Sequence, residues 1–164
     1  MAPPPNLDEL LETVNYPGMI PEESRVLRSW MAKHGAAYDE LRFNERVGPG
    51  VMLGDHVPEK DRRDWESRTK ARPDVIAIRH PLDALVVEAK WQATNETIWQ
   101  VLSYVELYAS SFPDWKVRAA IVATDATPAA RVLASRMGVT VFLYTLNPNA
   151  PLAPGEETPA PAAP

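Results

Sequence analysis

The sequence predicts an α/β domain, a mixed β-sheet covered by helices on both faces. Three observations carry this. Short apolar, β-rich runs occur at 74–78, 85–90, 117–124 and 139–144. Segments with apolar residues at helical spacing alternate with the later runs. Turn and cap residues punctuate the joins, and strands separated by helices imply a sheet buried on both sides. At 164 residues the chain fits one domain with a core that needs no covalent staples.

Taken in order, residues 1–19 read as an N-terminal extension, partly flexible, opening on Met-Ala-Pro-Pro-Pro. The folded domain spans 20–146. Pro21 precedes a helix over 22–34, in which Val26, Leu27, Trp30 and Met31 share one face and Gly35 is the stop. Residues 38–47 read as a strand, broken by Gly48-Pro49-Gly50. Residues 55–72 carry dense charge of both signs and read as a loop or exposed excursion. Two strands follow, joined by a turn from Arg79 to Asp83 that contains Pro81. Thr94 or Asn95 caps a helix running to about Ser111, with Ile98, Val101, Leu102 and Val105 inward. After the strand at 117–124, Thr127-Pro128 starts a helix that Gly138 closes. Val139 to Tyr144 is the last strand. The predicted order is α-β-β-β-α-β-α-β. Residues 147–164, rich in Pro and Ala, read as a disordered tail.

Composition narrows the function. There is no cysteine, which removes disulfides and thiolate metal sites and is compatible with a reducing cytosol. No apolar run approaches the roughly 18 residues of a membrane span, and the N-terminus lacks the pattern of a signal peptide. A cytoplasmic protein is the expectation. The net charge of −5 weighs mildly against a free-standing DNA binder, although carboxylates that hold a cation are offset locally. His34, His56 and His80 lack zinc-site spacing, and Gly48, Gly50 and Gly54 match no dinucleotide or phosphate loop.

The chemistry concentrates in Asp74, Glu88 and Lys90. Residues 75–87 separate the two acids, which fall on strands joined by a short turn. Alternation puts Val86, Glu88 and Lys90 on one face, and a hairpin brings Asp74 beside Glu88. Adjacent carboxylates in apolar strands repel unless a cation holds them. Hard oxygen donors with room for water suit Mg²⁺ or Mn²⁺, which activates water and neutralises charge on a phosphate. Lys90 would orient or help deprotonate that water, or stabilise the transition state. Glu23 shares the inward helix face and can reach the site; Glu22 points elsewhere on the wheel, and the choice between them stays open.

Arg72-Pro73-Asp74 followed by Glu88-Ala89-Lys90 resembles the signature of the PD-(D/E)xK nuclease superfamily. Gln100-Val-Leu-Ser-Tyr104 is similar to the Gln-xxx-Tyr element of its RecB-like branch. Glu22-Glu23-Ser24-Arg25 resembles the acidic entry helix of the nuclease-type domain that begins type I restriction motor subunits. The resemblance covers about residues 20–145. It implies a restriction-endonuclease-like core and hydrolysis of DNA phosphodiester bonds. It implies metal on Asp74, Glu88 and the Ala89 carbonyl, with Gln100 and Tyr104 supporting the site or contacting substrate. Arg72, adjoining Asp74, is the expected substrate contact. A homodimer would suit paired cuts, and any ATP-driven motor would be a separate partner.

Plainer readings stand beside these. Alone, Asp74 is a strand-entry residue, Glu88 an edge charge, Lys90 a strand end, and Gln100 with Tyr104 a polar seam. Trp91 and Trp99 read as packing aromatics. Lys60, Arg62, Arg63, Arg68, Lys70 and Arg72 are interleaved with Asp55, Glu59, Asp61, Asp64 and Glu66, a solvated mixed surface unless folding segregates the signs. Two functional rivals remain: a non-catalytic binding or assembly protein on the same scaffold, and a nuclease for RNA or structured DNA. An intact acid-acid-lysine set argues against the first.

Overall fold

The computed structural model describes residues 6–146. Residues 1–5 and the expected tail at 147–164 lie outside the described residues. Five strands form one mixed sheet in spatial order β1-β2-β3-β4-β5. They are β1 (Glu40–Phe43), β2 (Val75–Arg79), β3 (Asp83–Ala93), β4 (Lys116–Ala126) and β5 (Thr140–Leu143). The first three pair antiparallel, and β3, β4 and β5 pair in parallel. The parallel pairs require crossovers, supplied by α4 (Asn95–Ser111) and α5 (Pro128–Met137).

Strand alternation divides the core. Ile76, Ile78, Val86 and Ile121 pack with Ile98, Val101 and Tyr108 of α4 and with α5. Val75, Ala77, Val87, Ala89 and Val122 pack on the other face. There they meet Val26, Leu27, Trp30 and Met31 of α2 (Pro21–His34). Both faces of the sheet are therefore covered, and between α2 and β5 the predicted α-β-β-β-α-β-α-β order is observed with one helix added between β1 and β2.

The cap residues act as their chemistry dictates. Thr94 and Thr97 form a reciprocal capping box at the start of α4. Thr127 caps α5, with Pro128 in its first turn. Gly138 ends α5 in the left-handed conformation, at φ 69°.

Three segments differ from the sequence reading. Residues 6–19, set apart there as an extension, carry α1 (Leu7–Glu12) and pack against α2. Leu7 and Tyr16 are buried, the Tyr16 N–H donates to Ser24 Oγ at 3.1 Å, and Arg28 donates to the Thr13 and Val14 carbonyls. The first strand stops at Phe43, not 47, because Asn44 turns to φ 48°. Residues 55–72 contain a helix, α3 (Glu59–Thr69). It buries no residue and so shows no apolar period; its support is local, through Glu59–Arg63 and Glu66–Lys70 pairs at helical spacing.

Leu27 is fully buried and Val132 is 55% exposed. Leu27→Ala is therefore expected to lower stability by about 2–5 kcal/mol, and Val132→Ala by no more than about 0.5 kcal/mol. Urea unfolding of the two variants checks the difference.

Candidate active site

The site forms where β2 runs out beside β3. Val75 is the last β2 residue in the ladder and pairs with Val87. One step further, the same register sets Asp74 opposite Glu88. The Ala89 N–H lies past the end of β2 and lacks a strand carbonyl on that side. Asp74 Oδ2 accepts it at 2.8 Å, which satisfies the donor and fixes the carboxylate. Asn44, which sequence reasoning passed over, donates its backbone N–H to the Asp74 carbonyl at 3.3 Å. Its only signal was its position in a run expected to be strand.

Glu88 lies on the central strand and is 2% exposed. Its Oε1 accepts from Lys90 Nζ at 3.0 Å and from Gln100 Nε2 at 2.9 Å. The Gln100 amide also donates to the Tyr104 hydroxyl at 2.8 Å. An amide carries two N–H groups, so Gln100 forks between Glu88 and Tyr104 and locks the carboxylate plane. Glu88 Oε2 is buried and has no hydrogen-bond partner.

The electrostatics follow from this crowding. Burial pushes the Asp74 carboxyl up to about 6; the Ala89 N–H and the Lys90 charge oppose the rise, and the Glu23 charge adds to it. Burial, then the charge of Asp74, pushes Glu88 up to about 7 against the pull of Lys90. Burial works against the Lys90 charge, but Glu88, Glu23 and Asp74 outweigh it and raise its pKa. Lys90 is thus a cation at neutral pH. Burial raises Tyr104, so its phenol keeps its proton.

The fold therefore gathers Asp74, Glu88, Ala89, Lys90, Gln100 and Tyr104. Glu23, half-buried in the first turn of α2, acts electrostatically on both Asp74 and Lys90; Glu22 does not figure among the charges acting on either. Arg72 is exposed, two residues before Asp74. Trp91 and Trp99 do not pack as expected. They are 49% and 53% exposed, because Trp91 lies near the end of β3 and Trp99 on the outer side of α4.

The donor set fits a hard divalent cation. An unpartnered buried oxygen on Glu88 and a partly satisfied carboxylate on Asp74 face each other across two strands. Among the described residues no group of three or more His, Cys, Asp or Glu forms a closed metal site. Two carboxylates as hard oxygen donors are the kind of set that would suit Mg²⁺ or Mn²⁺.

No protein-family model matches the chain, and no curated protein matches it. Two solved structures are similar. One is a repair endonuclease from Pyrococcus abyssi, at 20% identity over 61% of this chain and 39% of that one, with a TM-score of 0.41. The other is a complex of EndoMS with double-stranded DNA, at 16% identity over 80% of this chain and 48% of that one, with a TM-score of 0.46. The chain spans less than half the length of either. Among the described residues no helix is long and apolar enough to cross a membrane.

Both carboxyl groups titrate above their unfolded values, so the folded protein holds more protons between about pH 4 and 7. Stability of the metal-free protein then falls as pH rises through that window. Glu88→Gln is expected to flatten the fall, by roughly 2–3 kcal/mol between pH 4.5 and 7.5. Thermal unfolding in EDTA at several pH values reads this; equal slopes for the two proteins would contradict it.

Proposed function

We propose that this protein is a divalent-metal-dependent nuclease that hydrolyses DNA phosphodiester bonds. The observation that carries the reading is the arrangement around Glu88: a buried carboxylate with one oxygen bound to Lys90 and Gln100 and the other oxygen unpartnered. Most buried polar atoms have a hydrogen-bond partner; those without one among the described residues are Trp30 Nε1, the Tyr108 hydroxyl and Glu88 Oε2, of which only the last is a carboxylate oxygen.

Asp74, Glu88 and the Ala89 carbonyl would hold the metal, which when bound supplies charge neutralisation at the phosphate and an acidified water. The chain's own residues do the rest. The Ala89 N–H fixes Asp74, and Gln100 fixes Glu88 in one rotamer. Lys90, still charged at neutral pH, orients the attacking water and meets the negative charge that grows on the phosphate oxygens. Tyr104 holds Gln100 from behind and keeps a hydroxyl proton that can be donated toward substrate. Glu23 adds negative charge at the mouth and favours a cation there. Arg72 contacts the substrate backbone. The resemblance to the RecB-like branch supports this assignment of roles. A cytoplasmic setting, a homodimer and a separate motor partner belong to the same proposal.

Purified protein incubated with linear and circular DNA, single- and double-stranded, should cut in Mg²⁺ or Mn²⁺ and not in EDTA. Lys90→Ala and Asp74→Ala should each lower the rate by about 10²-fold or more, with unchanged circular dichroism. Full activity in Lys90→Ala would sink the mechanism. Mn²⁺ bound without cleavage of any DNA would favour the binding-protein alternative. Gln100→Ala should cost less, about 10-fold, because it removes only the anchor of Glu88.

A further inference from the structure

The charge-dense stretch at 55–72 is near neutral in sequence, but the fold sorts it. Asp55 pairs with Arg62, Glu59 with Arg63 and Glu66 with Lys70. Just upstream, Arg42 is held between Glu40 and Glu45. Arg46, Arg68 and Arg72 are exposed, and among the described residues none of the three forms an ion pair.

These three lie together. Val47 and Ala71 form an antiparallel bridge, with the Val47 N–H donating to the Ala71 carbonyl at 2.9 Å. Arg46 and Arg72 flank that bridge on its two segments, and its antiparallel register continued by one step would set them opposite each other. Like charges in that relation are destabilising, and an anion between them would relieve the repulsion. Arg46 also lines a depression of ≈ 390 Å³ with Ser67, Arg68 and Asp64, and donates to Ser67 Oγ at 2.5 Å. Asp64 is the one carboxylate lining it, against Arg46 and Arg68.

The cluster adjoins the carboxylate site. Arg72 is two residues from Asp74. On its far side, Gly48 sits so close to α4 that a Cβ there would meet Leu107 Cδ2 at 2.6 Å. Leu107 lies three residues beyond Tyr104, on the same side of α4. The loop carrying Arg46 is therefore pressed against the helix that carries Gln100 and Tyr104.

We propose that Arg46, Arg68 and Arg72 form a phosphate-binding cluster that grips the DNA backbone next to the bond being cut. Guanidinium groups suit this because their forked donors match phosphate oxygens. The proposal rests on the nuclease reading for the identity of its ligand. It also bears on the acidic net charge: three arginines without an ion pair among the described residues offer local positive charge in a protein that is negative as a whole.

The test is binding of a duplex oligonucleotide by fluorescence anisotropy over a range of salt, with Ca²⁺ replacing Mg²⁺ so that the carboxylates are filled. Each Arg→Gln change at 46, 68 or 72 should reduce the slope of log affinity against log salt by about 1. The triple variant should lose more than about 10-fold in affinity at low salt. Arg46→Lys, which keeps the charge, should restore most of the slope. Arg63→Gln, whose arginine is already paired with Glu59, should leave the slope as in the parent. Unchanged slopes in Arg46→Gln and Arg68→Gln, or a parent that binds no duplex, would overturn the cluster. Cleavage in Mg²⁺ or Mn²⁺ is read separately. A parent that cuts while these variants bind normally sinks the cluster alone; one that binds with the expected slopes but never cuts sinks the nuclease reading alone.

Discussion

A carboxylate held among apolar side chains on the central strand, Glu88, is the constraint on which the rest depends. Burying an ionised carboxylate is costly unless charge and hydrogen bonds compensate. Here the compensation is unequal. Lys90 and Gln100 both serve Oε1, and Oε2 is left unserved. Such an oxygen is stable only as an acid or against a cation. The rise of both carboxyl pKa values and the chemical fit to a divalent cation have one cause: two carboxylates buried together with too little positive charge beside them.

The geometry that produces this is a matter of where β2 ends. Because β2 leaves the ladder at Val75, the next β3 donor, at Ala89, faces Asp74 instead of a strand carbonyl. The gap in the sheet is thus filled by the carboxylate of Asp74. Odd-numbered residues of the same strand, Leu85, Val87 and Ala89, face α2 and anchor the sheet. Even-numbered ones face α4 and reach the site. One strand serves packing on one face and chemistry on the other, with the two-residue period keeping them apart.

Around that centre the charges are arranged by sign. Acids at 55, 59 and 66 neutralise basic neighbours on or beside α3, and hydrogen bonds from Arg46 to Ser67 and from the Val51 N–H to Thr69 tie the helix to the loop before it. Arg46, Arg68 and Arg72 carry no ion pair among the described residues, and Arg72 lies two residues before Asp74 in the chain. A protein of net charge −5 can therefore present a locally positive edge, which bulk charge alone would not disclose.

Much of this was legible in the residues themselves. The four apolar runs, the Thr94 and Thr127 caps, Gly138 and the Asp74, Glu88, Lys90 trio follow from periodicity and local hydrogen bonding, which act over a few residues. The helix at 59–69 was not legible, because it buries nothing and leaves no apolar period. Nor was the packing of residues 6–19, which depends on Tyr16 meeting Ser24 and on Arg28 meeting the Thr13 carbonyl. Trp91 and Trp99 looked like core by residue type, and only their places at a strand end and on an outer helix face expose them. The sequence by itself determined the main strands and that Asp74, Glu88 and Lys90 would come together on two of them. The tertiary structure alone decided which oxygen of Glu88 stays unpartnered and which arginines stay unpaired, because both depend on contacts between segments far apart in the chain.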